Sequence, residues 1–157
     1  MTDSEPDARK YAFVLLSYRS RSEKELREQL GKKGFSESHI TGVLRYLKQV
    51  GYLDDHALAL DLKRQAFQNK LLGHARAKKF LFDRGVPDEI ADEVLEYDEE
   101  AEAQKIQKLI DKKMKTMGNY PDIKGVKRLW DFLARKGYSY STIRSALQNL
   151  KQTEREE

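Results

Sequence analysis

Few side chains in this 157-residue chain have the types and spacing for bond-making chemistry. His39, His56 and His74 do not share the i, i+4 spacing that sets two imidazoles on one helix face. With no cysteine in the chain, a zinc site would need carboxylates that no segment gathers. Gly31-Lys32-Lys33-Gly34 joins glycine to lysine but lacks the pattern of a phosphate-cradling loop. Asp54-Asp55 is the one close carboxylate pair with a motif around it. It is expected to cap the helix that follows, where backbone N–H groups and the helix dipole favour a carboxylate, rather than to act as acid and base. What remains is the chemistry of cations. Basic residues recur just before three glycines, as Lys32-Lys33 before Gly34, Arg84 before Gly85 and Arg135-Lys136 before Gly137, and clustered cations suit an anionic partner. Catalysis, a metal and a cofactor are not expected.

Those glycines lie 51 and 52 residues apart, and the text around them repeats. LGKKGFSESHITGVLRYL from Leu30 returns as LFDRGVPDEIADEVLEYD from Leu81 and LARKGYSYSTIRSALQNL from Leu133. Self-similarity at this period implies an array of like units, each too small to bury much core alone. Within the first unit the apolar residues keep helical spacing: Tyr11, Val14, Leu15 and Tyr18; Leu26 and Leu30; Ile40, Val43, Leu44 and Leu47. The third repeats the phase through Val126, Leu129, Trp130 and Leu133, then Ile143, Ala146, Leu147 and Leu150. Three helices per unit follow. Ser22 with Glu25 reads as a capping box, Ser36, Pro87 and Ser139 open the third helices, and the three glycines end the second helices with positive φ. The middle unit is less regular. Its helices are expected from about His56 to Asn69 through Leu58, Leu62 and Ala66, and from about His74 through Ala77, Phe80 and Leu81. A third, with Ile90 one place early and Ala91 in the apolar position, should be thinly packed. The last unit opens with a helix from about Glu99 to Met117 and a Gly118-Asn119-Tyr120-Pro121 turn. The fold class is all-α, organised as a tail 1–7, repeats 8–53, 54–98 and 99–150, and a tail 151–157.

With 36% charged residues and a mean hydropathy of −0.80, the chain reads as exposed helices around thin cores. It has no apolar run long enough for a membrane and no basic-then-apolar leader, so a soluble cytosolic protein is expected. Net charge is +3 over residues 1–50, −5 over 51–100 and +6 over 101–157. From Asp88 to Glu102 there are nine carboxylates and no Lys or Arg, a surface that repels DNA phosphates. A solvated acidic face is the plainer account of that run; a surface for basic loops of a partner is the sharper one.

The residues then become recognisable. Tyr11-Ala12, Arg19-Ser20-Arg21-Ser22, Glu25-Leu26, Lys33-Gly34-Phe35, Ile40, Val43-Leu44 and Gly51-Tyr52-Leu53-Asp54-Asp55 resemble the RecX family of recombinase regulators. The likeness runs on through Gly73, Arg76, Arg84-Gly85-Val86 and Phe132-Leu133-Ala134-Arg135-Lys136-Gly137-Tyr138-Ser139, covering roughly residues 8 to 150. The chain departs from the family at His74-Ala75, where a more basic, proline-containing step is usual, and at Phe82-Asp83.

The resemblance implies a curved, elongated array of three-helix repeats and a non-catalytic protein, expected to be a monomer, that binds the RecA filament. There it would damp ATP hydrolysis, strand exchange and the co-protease role in the damage response. On that basis the recombinase- or DNA-facing candidates are Arg19, Arg21, Lys24, Lys32, Lys33, Arg76, Lys78, Lys79, Arg84, Lys127, Arg128, Arg135 and Lys136. The rival is a tandem helix-turn-helix DNA reader, with Arg45 and Lys48, or Arg144, Gln148, Asn149 and Lys151, entering major grooves. Acidic residues on the middle third helix oppose it in that unit, whereas weak, sequence-independent phosphate contact fits the cations better. Trp130, Tyr11, Tyr18 and Tyr46 keep core-like spacing, so packing is expected of them rather than base stacking.

Overall fold

The computed structural model describes residues 3–118 and 121–156, with side chains to residue 150, and among these there are nine α-helices and no strand. They are α1 Glu5–Tyr18, α2 Glu23–Lys33, α3 Glu37–Gln49, α4 Asp55–Arg64, α5 His74–Asp83, α6 Asp88–Val94, α7 Glu99–Met117, α8 Ile123–Arg135 and α9 Tyr140–Glu156. A π-helical turn, Gln65–Asn69, continues α4. Asn119 and Tyr120 of the expected turn lie outside the described residues, as does the side chain of Lys151; Gly118 follows α7 with φ 79°. Of the expected tails, residues 5–7 and 151–156 are helical. Ser4 Oγ accepts the Asp7 N–H at 3.2 Å and Pro6 sits where its fixed φ suits a first turn, so α1 starts at Glu5, while α9 runs on to Glu156.

The chain folds as two compact units. Unit 1 comprises Met1–Leu62 and Leu81–Val94, and unit 2 comprises Lys63–Phe80 and Leu95–Glu157. Of the expected repeats, stretch 54–98 contributes residues to both units.

In unit 1, α1 and α2 pack on α3 around Leu26, Leu30, Ile40, Val43, Leu44 and Leu47. Each such side chain, once buried, contributes about 1.5–3 kcal/mol. The buried face of α1 is not the one its large residues suggest. Ala8 and Ala12 are fully buried, whereas Val14 is 47% and Tyr18 79% exposed. Two alanines let α1 approach closely, and the larger neighbours are turned to the rim, where Tyr11 and Leu15 pack half-buried. In unit 2, α7 and α8 pack on α9 through Ile106, Ile110, Leu129, Leu133, Ile143 and Leu147.

Local signals explain the helix ends. Ser22 and Glu25 form the reciprocal capping box, Asp98 and Asp122 cap α7 and α8, and Gly34, Gly85 and Gly137 have φ of 102°, 81° and 98°. The middle third helix, α6, is only seven residues long and buries little beyond Ala91 and Val94.

Candidate functional site

The basic candidates include cations clamped within the fold and cations whose side chains are exposed. In unit 1, Glu25 gathers the first kind. Its Oε1 accepts the Ser22 backbone N–H at 3.0 Å, and its Oε2 accepts from Arg84 Nε at 3.1 Å and Arg19 Nη2 at 3.2 Å. Arg84 Nη2 also donates to the Ser20 carbonyl at 2.9 Å, and its side chain is only 18% exposed. Arg84 is thus a clamp on the Arg19-Ser20-Arg21-Ser22 loop and not an outward cation. Arg21 is half-buried in the same loop. Lys24, Lys32 and Lys33 are exposed on α2, Lys24 Nζ lying 5.6 Å from the centre of the Phe82 ring and Lys33 Nζ 5.2 Å from that of Tyr11.

The Gly-Tyr-Leu-Asp-Asp step is also structural. Leu53 is buried, Asp54 Oδ1 caps α4 by accepting the Ala57 N–H at 3.0 Å, and Asp55 Oδ1 accepts the Glu23 N–H at 2.9 Å. Asp54 therefore performs the expected capping, whereas Asp55 caps α2 instead of its own helix. Burial pushes the Asp55 carboxyl above the usual carboxylate range, against the opposing pull of that N–H.

In unit 2 the turn between α8 and α9 meets the start of α5. Gly73 N–H donates to the Lys136 carbonyl at 2.8 Å, and a Cβ on Gly73 would lie 2.5 Å from the Gly137 carbonyl. Only glycine allows that approach. Tyr138 Oη donates to the Leu71 carbonyl at 2.7 Å, and Lys136 Nζ donates to the Lys70 carbonyl at 3.2 Å, so Lys136 too is engaged within the unit. Lys105 is buried. It donates to the Leu72 carbonyl at 3.0 Å, pairs with Glu102 and sits 3.3 Å above the Phe67 ring centre. Burial lowers its pKa despite the Glu102 carboxylate.

This docking brings Arg76 and Lys79 of α5 to the same groove as Arg135 of α8, lined further by Ala75, Ala134 and Gly137. All three cations are exposed, while Lys78 is half-buried. Lys127 and Arg128 lie exposed on α8, Arg128 and Arg135 sharing a second groove with Lys113 and Asp131. Of the basic candidates, the exposed ones lie on α5 and α8 in unit 2 and, with Arg19 beside them in sequence, on α2 in unit 1.

The acidic run is partly a capping feature. Asp88 and Glu89 occupy the first turn of α6, and Asp98, Glu99 and Glu100 surround the start of α7, where the helix dipole favours them. Glu102 is buried and also accepts the His74 N–H at 2.7 Å. Asp88, Glu89, Asp92 and Glu93 are exposed on α6.

Residues 8–55 match the first three-helix domain of RecX, and residues 99–147 match the third. A "Regulatory protein RecX" of Pelodictyon phaeoclathratiforme is 34% identical over 96% of this chain and 93% of its own length. The chain belongs to the RecX family. A further RecX, from Amycolatopsis mediterranei, is 32% identical over 89% of this chain and 83% of its own length; for one from Oceanobacillus iheyensis the chain spans 52% of the relative. The crystal structure of RecX from Lactobacillus salivarius shares the fold, with a TM-score of 0.81, 23% identity and coverage of 97% of this chain and 99% of that one. This RecX chain is accordingly a member of a family of regulatory proteins with an all-α fold of three-helix domains. Among its described residues no three His, Asp or Glu gather to hold a metal ion, and no helix is long and apolar enough to cross a membrane.

Reasoning from residue types missed the inward turn of Arg84 and Lys136, the reach of Asp55 to α2 and the buried Lys105. Their partners lie far away in sequence, and only Asp54-Asp55 carried a local signal.

Proposed function

We propose that this RecX chain acts in the cytoplasm, as a monomer and without chemistry of its own, by binding the RecA nucleoprotein filament. It damps ATP hydrolysis, strand exchange and the co-protease activity of the damage response. The observation that carries this reading is RecX membership along nearly the whole chain. The groove where Arg76, Lys79 and Arg135 converge supports it, since three exposed cations on two packed helices suit an acidic protein surface or a phosphate backbone. Several such contacts on one chain gain through effective concentration, so modest individual affinities suffice.

The direct test is the single-stranded-DNA-dependent ATPase rate of the cognate RecA as this protein is titrated in. Inhibition at substoichiometric protein is expected. An unchanged ATPase alongside tight duplex binding by the RecX chain alone would replace this reading with a tandem DNA reader. Against that alternative, α6 presents Asp88, Glu89, Asp92 and Glu93 to solvent, which a duplex would repel.

A further inference from the structure

We infer that unit 2 carries a stacking platform for single-stranded nucleic acid, formed by Tyr140 on Trp130 and flanked by Lys127 and Arg144. The inference deepens the nucleic-acid side of the proposed function but stands on unit 2 alone. Trp130 of α8 packs half-buried against the unit 2 core, and Tyr140, the first residue of α9, lies on it with ring centres 4.9 Å apart and planes tilted by 38°. If Tyr140 served only to cover the indole, burial would be its reward, yet it is 69% exposed. Most of the phenol therefore faces water above an indole held in place by the core.

The helical period places charge beside both rings. Lys127 stands one turn before Trp130 at i, i+3, and Arg144 one turn after Tyr140 at i, i+4; both are exposed. Ile123, 90% exposed, extends the α8 stripe by another turn, and exposed Gln148 extends that of α9. Asp131 is the only carboxylate within α8, and it lines the other groove with Lys113 and Arg128. The result is an aromatic surface with a cation one turn away on each helix, in the most basic third of the chain, with net charge +6 over residues 101–157.

A flexible single strand supplies what this surface lacks: a flat base for the exposed ring and phosphates on either side for the cations. A duplex keeps its base faces covered and offers phosphates alone, and an acidic peptide offers carboxylates without obligatory rings. Sequence-tolerant preference for single strands over duplex follows.

Trp130 is the only tryptophan in the chain, so its fluorescence reports the platform directly. The experiment titrates the full chain, with no recombinase present, with an oligothymidylate of about fifteen nucleotides in about 50 mM salt. Duplex DNA, inorganic polyphosphate and poly-glutamate are compared at matched charge. Saturable quenching by the single strand is expected, with Tyr140→Ala weakening affinity about tenfold at unchanged melting temperature. Lys127→Glu and Arg144→Glu should weaken it and flatten its salt dependence. Equal quenching by duplex or polyphosphate would reduce the surface to charge alone, and equal quenching by poly-glutamate would make it a peptide site. Unaltered affinity in Tyr140→Ala, or no binding by either fluorescence or anisotropy of a labelled strand, overturns the inference. Because no recombinase is present, such a failure leaves the filament reading to be judged by its own ATPase assay.

Discussion

Asp55 completes the start of a helix to which it does not belong: its Oδ1 accepts the Glu23 backbone N–H at 2.9 Å across 32 residues. The N–H groups of a first helical turn have no intrahelical partner, and this one is satisfied from the α4 side of unit 1. Asp55→Ala should lower stability by about 1 kcal/mol, read as a shift in the urea midpoint. The carboxyl also gives a pH signature. Burial raises its folded-state pKa, so its titration favours the fold while protonated, and that contribution is lost as pH rises through the raised value. Asp55→Asn cannot titrate. Its stability relative to the parent should therefore improve from about pH 3 to pH 7, and a difference that stays constant over that range would contradict the burial argument.

Tyr138 contributes a single buried hydroxyl, donated to the Leu71 carbonyl at 2.7 Å. Tyr138→Phe keeps the ring and removes the donor, leaving a buried acceptor without its partner at a cost of about 1–3 kcal/mol. The check is the denaturant midpoint, with little change in helix content by circular dichroism.

Gly73→Ala should be among the most damaging single-methyl changes, because the new Cβ would meet the Gly137 carbonyl at 2.5 Å, where backbone must move. A loss of about 1–3 kcal/mol or more is expected, seen as a lower melting temperature. An unchanged melting temperature would mean that the α5 start and the α8–α9 turn are not in close contact in solution.

Cations on the two kinds of site should separate in a pair of variants. Arg84→Glu places a carboxylate beside Glu25 and opens the Arg19–Ser22 loop, so inhibition of RecA ATPase and the melting temperature should fall together. Combined Arg76→Glu, Lys79→Glu and Arg135→Glu alters an exposed groove. It should weaken inhibition about tenfold or more, with the melting temperature falling less than in Arg84→Glu. Retained inhibition in that triple variant would move the recombinase-facing surface elsewhere.

The same contrast marks how far the sequence could be read. Gly34, Gly85 and Gly137, and Ser22 with Glu25, announce their roles locally, because a left-handed residue or a capping box involves neighbours within one turn. The helix expected from about Glu99 to Met117 is α7, and the apolar periods at Ile40 to Leu47 and Val126 to Leu133 fall within α3 and α8 for the same reason. On α1 side-chain size points to the wrong face, because close helix approach favours Ala8 and Ala12 over Val14 and Tyr18. Arg84 finds Glu25 59 residues away and Tyr138 finds Leu71 67 away, distances at which periodicity carries no information. Tyr140 carries no local signal, since a lone tyrosine at a helix start has no pattern until its stacking partner on α8 is known.

The interleaving of the two units has a bearing on synthesis. Unit 1 lacks its last segment, with Arg84 and the Gly85 turn, until residue 94 has left the ribosome, and residues 63–80 of unit 2 emerge before then. Those eighteen residues must wait, helical turns without a core, until α7 to α9 follow. A nascent chain of this protein therefore cannot finish one unit before beginning the other, and arrest between residues 62 and 81 leaves both incomplete.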